Sequence, residues 1–105
     1  MASTEDDIKQ QLKDNPVILY MKGTPELPRC GFSARAVLML QRTGVPFTSV
    51  DVLANPKIRE VLPKVSQWPT FPQLFVRGDL VGGCDIIVDM ANQGELQKLL
   101  ASASS

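Results

Sequence analysis

The chain has 105 residues, a hydrophobic fraction of 44% and a formal net charge of +0. This length and apolar content suit a single domain over residues 1–105 and exclude a disordered chain. The balanced charge gives no electrostatic footprint for nucleic acid, and no apolar run reaches the roughly 18 residues that a membrane-spanning helix needs.

The first half of the chain alternates apolar segments with turn-forming ones. Its predicted elements are a helix at 4–14, a strand at Val17–Met21, a loop at 23–29, a helix at Gly31–Arg42 and a strand at Val45–Val52. Ser3 or Thr4 can cap the first helix, although the Glu or Gln of a full capping box is missing. The first strand is a continuous apolar run, which is typical of a central strand covered on both faces.

The second half predicts a hairpin between helices. It begins with a helix opened by Asn55-Pro56 and limited by Pro63, followed by a stiff turn at Trp68–Pro72. The hairpin consists of a strand at Gln73–Val76, a tight turn at Arg77–Asp79 and a strand at Leu80-Val81. Helices at Cys84–Ala91 and Gly94–Leu100 and a frayed tail at Ala101–Ser105 complete the chain. A strand–helix–strand unit followed by a β-hairpin predicts a four-stranded mixed sheet flanked by helices. This is the thioredoxin-like α/β architecture.

The chain has no histidine and two cysteines, Cys30 and Cys84. The lack of histidine excludes Ser-His-Asp and Cys-His catalysis and any histidine metal site. Two distant cysteines are not the disulfide framework of a small secreted protein. The polar, acidic residues 1–7 resemble neither a secretory signal nor a mitochondrial presequence, so we expect a reducing, cytoplasmic location.

Cys30 lies in a loop rich in glycine and proline, directly before a predicted helix. The unpaired amides of that helix and the nearby Lys22 would both favour a thiolate. The alternative is a buried, inert cysteine, against which the glycine and proline neighbours argue. A dithiol site would need a second cysteine at position 33. Ser33 stands there instead, and it can also satisfy amides at the helix start.

Two later segments could bind a ligand near this sulfur. Phe71-Pro72 can adopt a cis bond, which would expose backbone groups to an extended peptide; the residues alone leave cis and trans open. Gly82–Asp85 combines amides suited to a carboxylate with the Asp85 carboxylate, which suits an ammonium group. Alternatively, Asp85 merely caps a helix. Arg59, together with Lys22, could hold a second carboxylate.

Four segments together resemble the monothiol glutaredoxins, in the bacterial single-domain form. The matching segments are Lys22-Gly23-Thr24-Pro25, Cys30-Gly31-Phe32-Ser33, Trp68-Pro69-Thr70-Phe71-Pro72-Gln73 and Gly82-Gly83-Cys84-Asp85. The resemblance covers about residues 5–100. It implies a cis bond before Pro72 and glutathione as the ligand.

The resemblance also implies a role for each site residue. Lys22 and Arg59 would hold the glycyl carboxylate of glutathione, and the backbone of Phe71 would pair with its cysteinyl part. Cys84 and Asp85 would bind the γ-glutamyl end. Cys30 would be both the reactive thiol and the ligand of iron.

Counting thiolates leads to the same function. A [2Fe-2S] cluster needs four ligands, usually cysteine sulfurs, and this chain has two cysteines. Two Cys30 thiolates from a homodimer and two glutathione thiols would supply four. The resemblance implies that bridged dimer, with BolA-like proteins as alternative partners.

The sequence therefore predicts a carrier that transfers a labile [2Fe-2S] cluster to apo iron–sulfur proteins, with at most weak oxidoreductase activity. The alternative is a glutathione-dependent monothiol oxidoreductase that uses Cys30 as nucleophile to remove glutathione from proteins. A third possibility is a regulatory binding module that uses the same surface.

Overall fold

The structure is a computed structural model that describes residues 3–104. Within that range it contains four strands and five helices. In chain order they are α1 (Thr4–Asp14), β1 (Val17–Met21), α2 (Gly31–Arg42), β2 (Thr48–Asp51), α3 (Pro56–Ser66), β3 (Gln73–Val76), β4 (Asp79–Gly82), α4 (Cys84–Asn92) and α5 (Glu95–Ser104).

The four strands form one mixed sheet in the order β2-β1-β3-β4. β1 pairs parallel with β2, whereas β1–β3 and β3–β4 are antiparallel. Tyr20 of β1 lies opposite Val50 on one side and Gln73 on the other. The predicted thioredoxin-like fold is therefore confirmed. Within residues 3–104, no helix is long and apolar enough to cross a membrane.

Helices cover both faces of the sheet, as the apolar run of β1 predicted. Val17, Leu19 and Met21 point to one face and join the apolar side chains of α2, α4 and α5. Ile18 and Tyr20 point to the other face and pack with α1 and α3. Because successive side chains of a strand alternate between faces, a strand buried on both sides must be apolar throughout.

Ser3 caps α1 as predicted, but one detail of that cap and two element boundaries differ from the prediction for local reasons. A capping box does form at α1: Ser3 Oγ accepts from the Asp6 amide at 3.1 Å, and Asp6 accepts from the Ser3 amide, so an aspartate fills the role expected of Glu or Gln. β2 begins only at Thr48, since Pro46 has no N–H to donate. α3 runs past Pro63 to Ser66, because burial of Ile58 and Leu62 holds the helix despite one lost backbone bond.

The predicted frayed tail was also wrong for residues 101–104. They belong to α5, in which Leu100 and Ala103 are buried. The Arg77 guanidinium donates a hydrogen bond of 2.8 Å to the Ser102 carbonyl and so ties the hairpin turn to this helix. Met1, Ala2 and Ser105 lie outside the described residues.

Candidate functional site

A groove of about 830 Å³ contains every residue predicted for the site. Its lining comprises those six residues, Lys22, Cys30, Arg59, Phe71, Cys84 and Asp85, together with Phe32, Pro63, Trp68, Pro69, Thr70, Pro72, Gly83 and Ile86. The groove thus joins the end of β1, the starts of α2 and α4, the middle of α3 and the segment before β3. Residues from five separate parts of the chain meet at one place.

Cys30 occupies the N-cap position of α2, with extended backbone angles of φ −149° and ψ 137°. Its thiol is free and partly exposed, so the alternative of a buried cysteine is wrong for this residue. The helix begins at the next residue, Gly31. The first-turn amides of a helix lack backbone partners, and here they lie beside the sulfur.

The surroundings of Cys30 lower the pKa of its thiol. The Ser33 amide has the largest effect, and the Phe32 amide, the Lys22 charge and the Ser33 hydroxyl add to it, while burial partly opposes them. Amides in the first turn of α2 therefore favour the charged form of this thiol. The two predicted causes, helix amides and Lys22, both contribute, with the amides stronger.

Ser33 has a different structural role from the one expected. It is 0% exposed, and its hydroxyl accepts a hydrogen bond of 3.1 Å from the Lys22 amide rather than from its own helix. This bond joins the residue after β1 to the first turn of α2. It therefore fixes Lys22 relative to Cys30.

Asp51 at the end of β2 holds the loop before Cys30, a role that the sequence did not suggest. One carboxylate oxygen accepts hydrogen bonds of 2.9 Å from both the Gly23 and the Leu53 amides. The Gly23 amide is the main cause that lowers the pKa of Asp51. A side chain at Gly23 would meet the Leu27 carbonyl at 2.6 Å, and its φ is +93°, so glycine is required.

The bond between Phe71 and Pro72 is cis, as the resemblance implied. Phe71 is half-buried and Pro72 is buried, and both line the groove. The backbone of this segment therefore forms one wall of the site.

The segment from Gly82 to Asp85 lies directly beside this wall, since a side chain at Gly83 would meet the Pro72 carbonyl at 3.3 Å. Gly83 is the N-cap of α4, Cys84 is its first residue and Asp85 its second, so the alternative of Asp85 as the cap is wrong. Asp85 is exposed and lines the groove. A carboxylate in the first turn also interacts favourably with the helix dipole.

The two cysteines have opposite character. Cys84 is buried, and burial, followed by the nearby Asp85 charge, raises the pKa of its thiol. Cys30 also contributes to that rise, so the two sulfurs are close enough to interact electrostatically. Both thiols are free. Cys30 is therefore the accessible and more acidic thiol, and Cys84 is the buried and less acidic thiol in the wall of the groove.

Alkylation should distinguish these two thiols. Because the thiolate is the nucleophile, the rate rises as pH passes upward through the thiol pKa. We expect Cys30 to reach half its maximal iodoacetamide rate at a lower pH than an ordinary cysteine, and Cys84 at a higher pH, because the two thiol pKa values are shifted in opposite directions. Mass spectrometry of peptides from a pH series measures both rates. A Cys30 midpoint at or above the ordinary value would contradict this account of the site.

Phe32 also lines the groove, although it was not predicted as a site residue. Its side chain is 63% exposed beside Cys30. A signal was present: Ser33, Ala36, Val37 and Leu40 form the buried face of α2, and Phe32 falls off that face. This exposed aromatic ring adds an apolar surface to the groove beside Cys30.

The fold and groove define a thioredoxin-like protein with an accessible cysteine at a helix start. The family model described as Glutaredoxin matches residues 17–81. Relatives named Glutaredoxin 4 include those of Haemophilus ducreyi (57% identical over 102 residues, 97% of this chain and 95% of the relative) and Escherichia coli K12 (53% over 105 residues, 100% and 91%). The chain therefore belongs to the glutaredoxin family.

Solved structures agree with this assignment. A monomeric truncated mutant of Trypanosoma brucei 1-C-Grx1 is 40% identical, with a TM-score of 0.85 over 99% of this chain and 94% of that one. Reduced poplar apo GrxS14 is 40% identical, with a TM-score of 0.82 over 97% and 94%. A buckwheat glutaredoxin–glutathione complex has a TM-score of 0.82 over 98% and 97%, but at 20% identity it shows the fold alone.

Proposed function

We propose that this chain is a monothiol glutaredoxin of the reducing cytoplasm. It would bind glutathione, hold a labile [2Fe-2S] cluster between two subunits and transfer it to apo iron–sulfur proteins. The observation that carries the proposal is the position of Cys30. This one acidified and accessible sulfur stands at a groove that also holds two cations and a carboxylate.

The groove suits glutathione because its charges match the two ends of that peptide. Lys22 and Arg59 would hold the glycyl carboxylate through charge-assisted hydrogen bonds. The backbone of Phe71 would pair with the cysteinyl residue in the manner of an added strand. Asp85 would take the γ-glutamyl ammonium group, and the Cys84 backbone its carboxylate. The glutathione sulfur would then lie near Cys30.

Ser33 supports a monothiol site. Its hydroxyl is buried and bonded to the Lys22 amide, so it is a structural group and not a resolving one. Cys84 is a poor substitute, since it is buried and its thiol pKa is raised. A disulfide formed at Cys30 would therefore be resolved by an outside thiol.

The thiols available explain why glutathione would be a cluster ligand. A [2Fe-2S] cluster takes four thiolates, and one chain offers a single accessible one. Among residues 3–104, no three His, Cys, Asp or Glu side chains group together as metal ligands. Two chains and two glutathione molecules complete the set. Ligands that exchange with solvent would release the cluster readily, and the exposed Phe32 would contact the second subunit or a BolA-like partner.

The second candidate function is a glutathione-dependent oxidoreductase, which the lowered pKa of Cys30 also favours. The Cys30 thiolate would attack the glutathione sulfur of a protein mixed disulfide and release the protein thiolate. A second glutathione thiolate would then attack the Cys30–glutathione disulfide, regenerating Cys30 and forming oxidised glutathione.

Anaerobic reconstitution separates the two functions. The protein is incubated with ferric iron and sulfide, with or without glutathione, and its visible spectrum is recorded before apo-ferredoxin is added. We expect a coloured protein only when glutathione is present, followed by transfer to the ferredoxin. A protein that stays colourless yet rapidly reduces glutathione mixed disulfides would contradict the carrier and establish the oxidoreductase.

Asp85→Ala should weaken glutathione binding about tenfold, which corresponds to about 1.4 kcal/mol, because a charged hydrogen-bond partner is lost. The rate at which the [2Fe-2S] cluster dissociates should rise by about the same factor of ten. Asp89→Ala is the matched control, since Asp89 is an exposed carboxylate on the same helix outside the groove lining. Calorimetry measures the binding. Equal affinity for both variants would remove Asp85 from the site.

A further inference from the structure

Gln73, the first residue of β3, is one of two fully buried polar side chains in the described chain; the other is Ser33. Its amide nitrogen donates two hydrogen bonds, to the Trp68 carbonyl at 2.8 Å and to the Thr70 carbonyl at 3.1 Å. Both acceptors belong to the segment that forms the wall of the groove before Pro72. Neither hydrogen bond is part of the pairing between the strands of the sheet.

The contact of Gln73 with the Trp68 and Thr70 carbonyls requires a hydrogen-bond donor on the Gln73 side chain. Both partners are backbone carbonyl oxygens, so only the nitrogen end of the amide can face them. The oxygen end, Oε1, is buried and has no hydrogen-bond partner within residues 3–104. A buried acceptor without a partner destabilises a fold, and an apolar side chain of similar size would avoid that penalty. What glutamine adds at this position is the pair of N–H donors.

The same segment supports the start of α4. A side chain at Gly83 would meet Trp68 Nε1 at 3.2 Å and the Pro72 carbonyl at 3.3 Å, so the indole lies directly against that turn. Trp68 Nε1 is itself buried without a partner in the part of the chain described. The indole is therefore placed by packing and by two hydrogen bonds of the Trp68 backbone: its carbonyl accepts from Gln73, and its amide donates to Ser66 Oγ at 3.2 Å. A shift of Trp68 would move both the Phe71 wall and the turn before Cys84.

We propose that Gln73 is a positioning residue, which fixes residues 68–72 so that the groove is formed before its ligand arrives. Ser33 likewise fixes the backbone of Lys22, another residue of the groove lining, through a hydrogen bond to its buried hydroxyl. The binding part of this inference rests on the proposed function, since it takes glutathione as the ligand. The structural part, that Gln73 fixes residues 68–72, does not depend on which ligand binds.

Gln73→Met tests the inference, because methionine keeps the length and volume but removes both donors and the unpaired acceptor. Gln11→Met is the matched control: it breaks the 2.7 Å bond from the Tyr20 hydroxyl, away from the groove. The readouts are glutathione affinity by calorimetry, acrylamide quenching of Trp68, which is the single tryptophan, and the thermal midpoint. We expect Gln73→Met to bind glutathione at least tenfold more weakly and its indole to be quenched more strongly, with little change in midpoint.

Gln11→Met should show the reverse, a lower midpoint with unchanged affinity and quenching. If Gln73→Met left quenching and affinity unchanged, the positioning role would be wrong while the proposed function stood. If the wild type failed to bind glutathione, the proposed function would fail, and quenching would still decide the structural role. Should the variant not fold, amide exchange of the wild-type Gln73 side chain decides: slow exchange of both protons is expected, and fast exchange overturns the inference.

Discussion

Cys30→Ser is expected to abolish cluster binding and mixed-disulfide reduction, leaving both at background. A serine hydroxyl stays protonated at neutral pH even beside the amides of Ser33 and Phe32, so it offers neither a soft ligand for iron nor a nucleophilic thiolate. The fold should be kept, because Cys30 is partly exposed and, within the described residues, its side chain makes no N-capping hydrogen bond to α2. Anaerobic reconstitution followed by visible absorption measures the loss.

Cys84→Ser is the matched control for this prediction. Because Cys84 would contact glutathione through its backbone, the variant should still take up a glutathione-dependent cluster. A coloured Cys30→Ser protein with a colourless Cys84→Ser protein would exchange the roles assigned to the two thiols. Far-UV circular dichroism of both variants establishes that each is folded.

Gly82→Ala is expected to lower the free energy of unfolding by roughly 2–5 kcal/mol. Gly82 has φ +146°, which side chains with a Cβ rarely adopt, and a Cβ there would collide with the Ile86 side chain. Ile86 lies in the first turn of α4, so relief of the collision would displace Cys84 and Asp85 as well. A domain of typical stability, about 5–15 kcal/mol, would be close to unfolding. Urea denaturation measures the change, and calorimetry should show weaker glutathione binding.

Gly78→Ala separates backbone strain from collision. Gly78 also has a positive φ, +83°, but a Cβ there meets nothing within 4 Å. We expect this variant to lose only about 1 kcal/mol and to keep its glutathione affinity, because the hairpin turn lies outside the groove lining. If the two variants were equally destabilised, contact with Ile86 would not be the cause at Gly82.

Local patterns were enough to predict the elements that carry the site. The apolar run Val17–Met21, the cysteine before Gly31 and the glycine pair before Cys84 each belong to one continuous segment. Strand pairing then brings the ends of those segments together. The boundaries failed where packing overrode a local rule: α3 continues through Pro63 because its apolar face is buried against the sheet.

The contacts that hold the site in shape were not predictable in this way. Asp51 reaches Gly23 across 28 residues, and Ser33 reaches Lys22 across 11, so no spacing rule connects them. Gln73 is closer in sequence to its partners, but a glutamine in a strand gives no sign that it donates to the preceding loop. Hydrogen bonds between side chains and distant backbone depend on the completed fold.

Native mass spectrometry of the anaerobically reconstituted protein tests the central claim most directly. The account predicts a species of two chains, one [2Fe-2S] cluster and two glutathione molecules, which is absent when Cys30 is replaced by serine. A cluster retained by a single chain, or by two chains without glutathione, would contradict the claim that Cys30 shares its metal with a borrowed thiol.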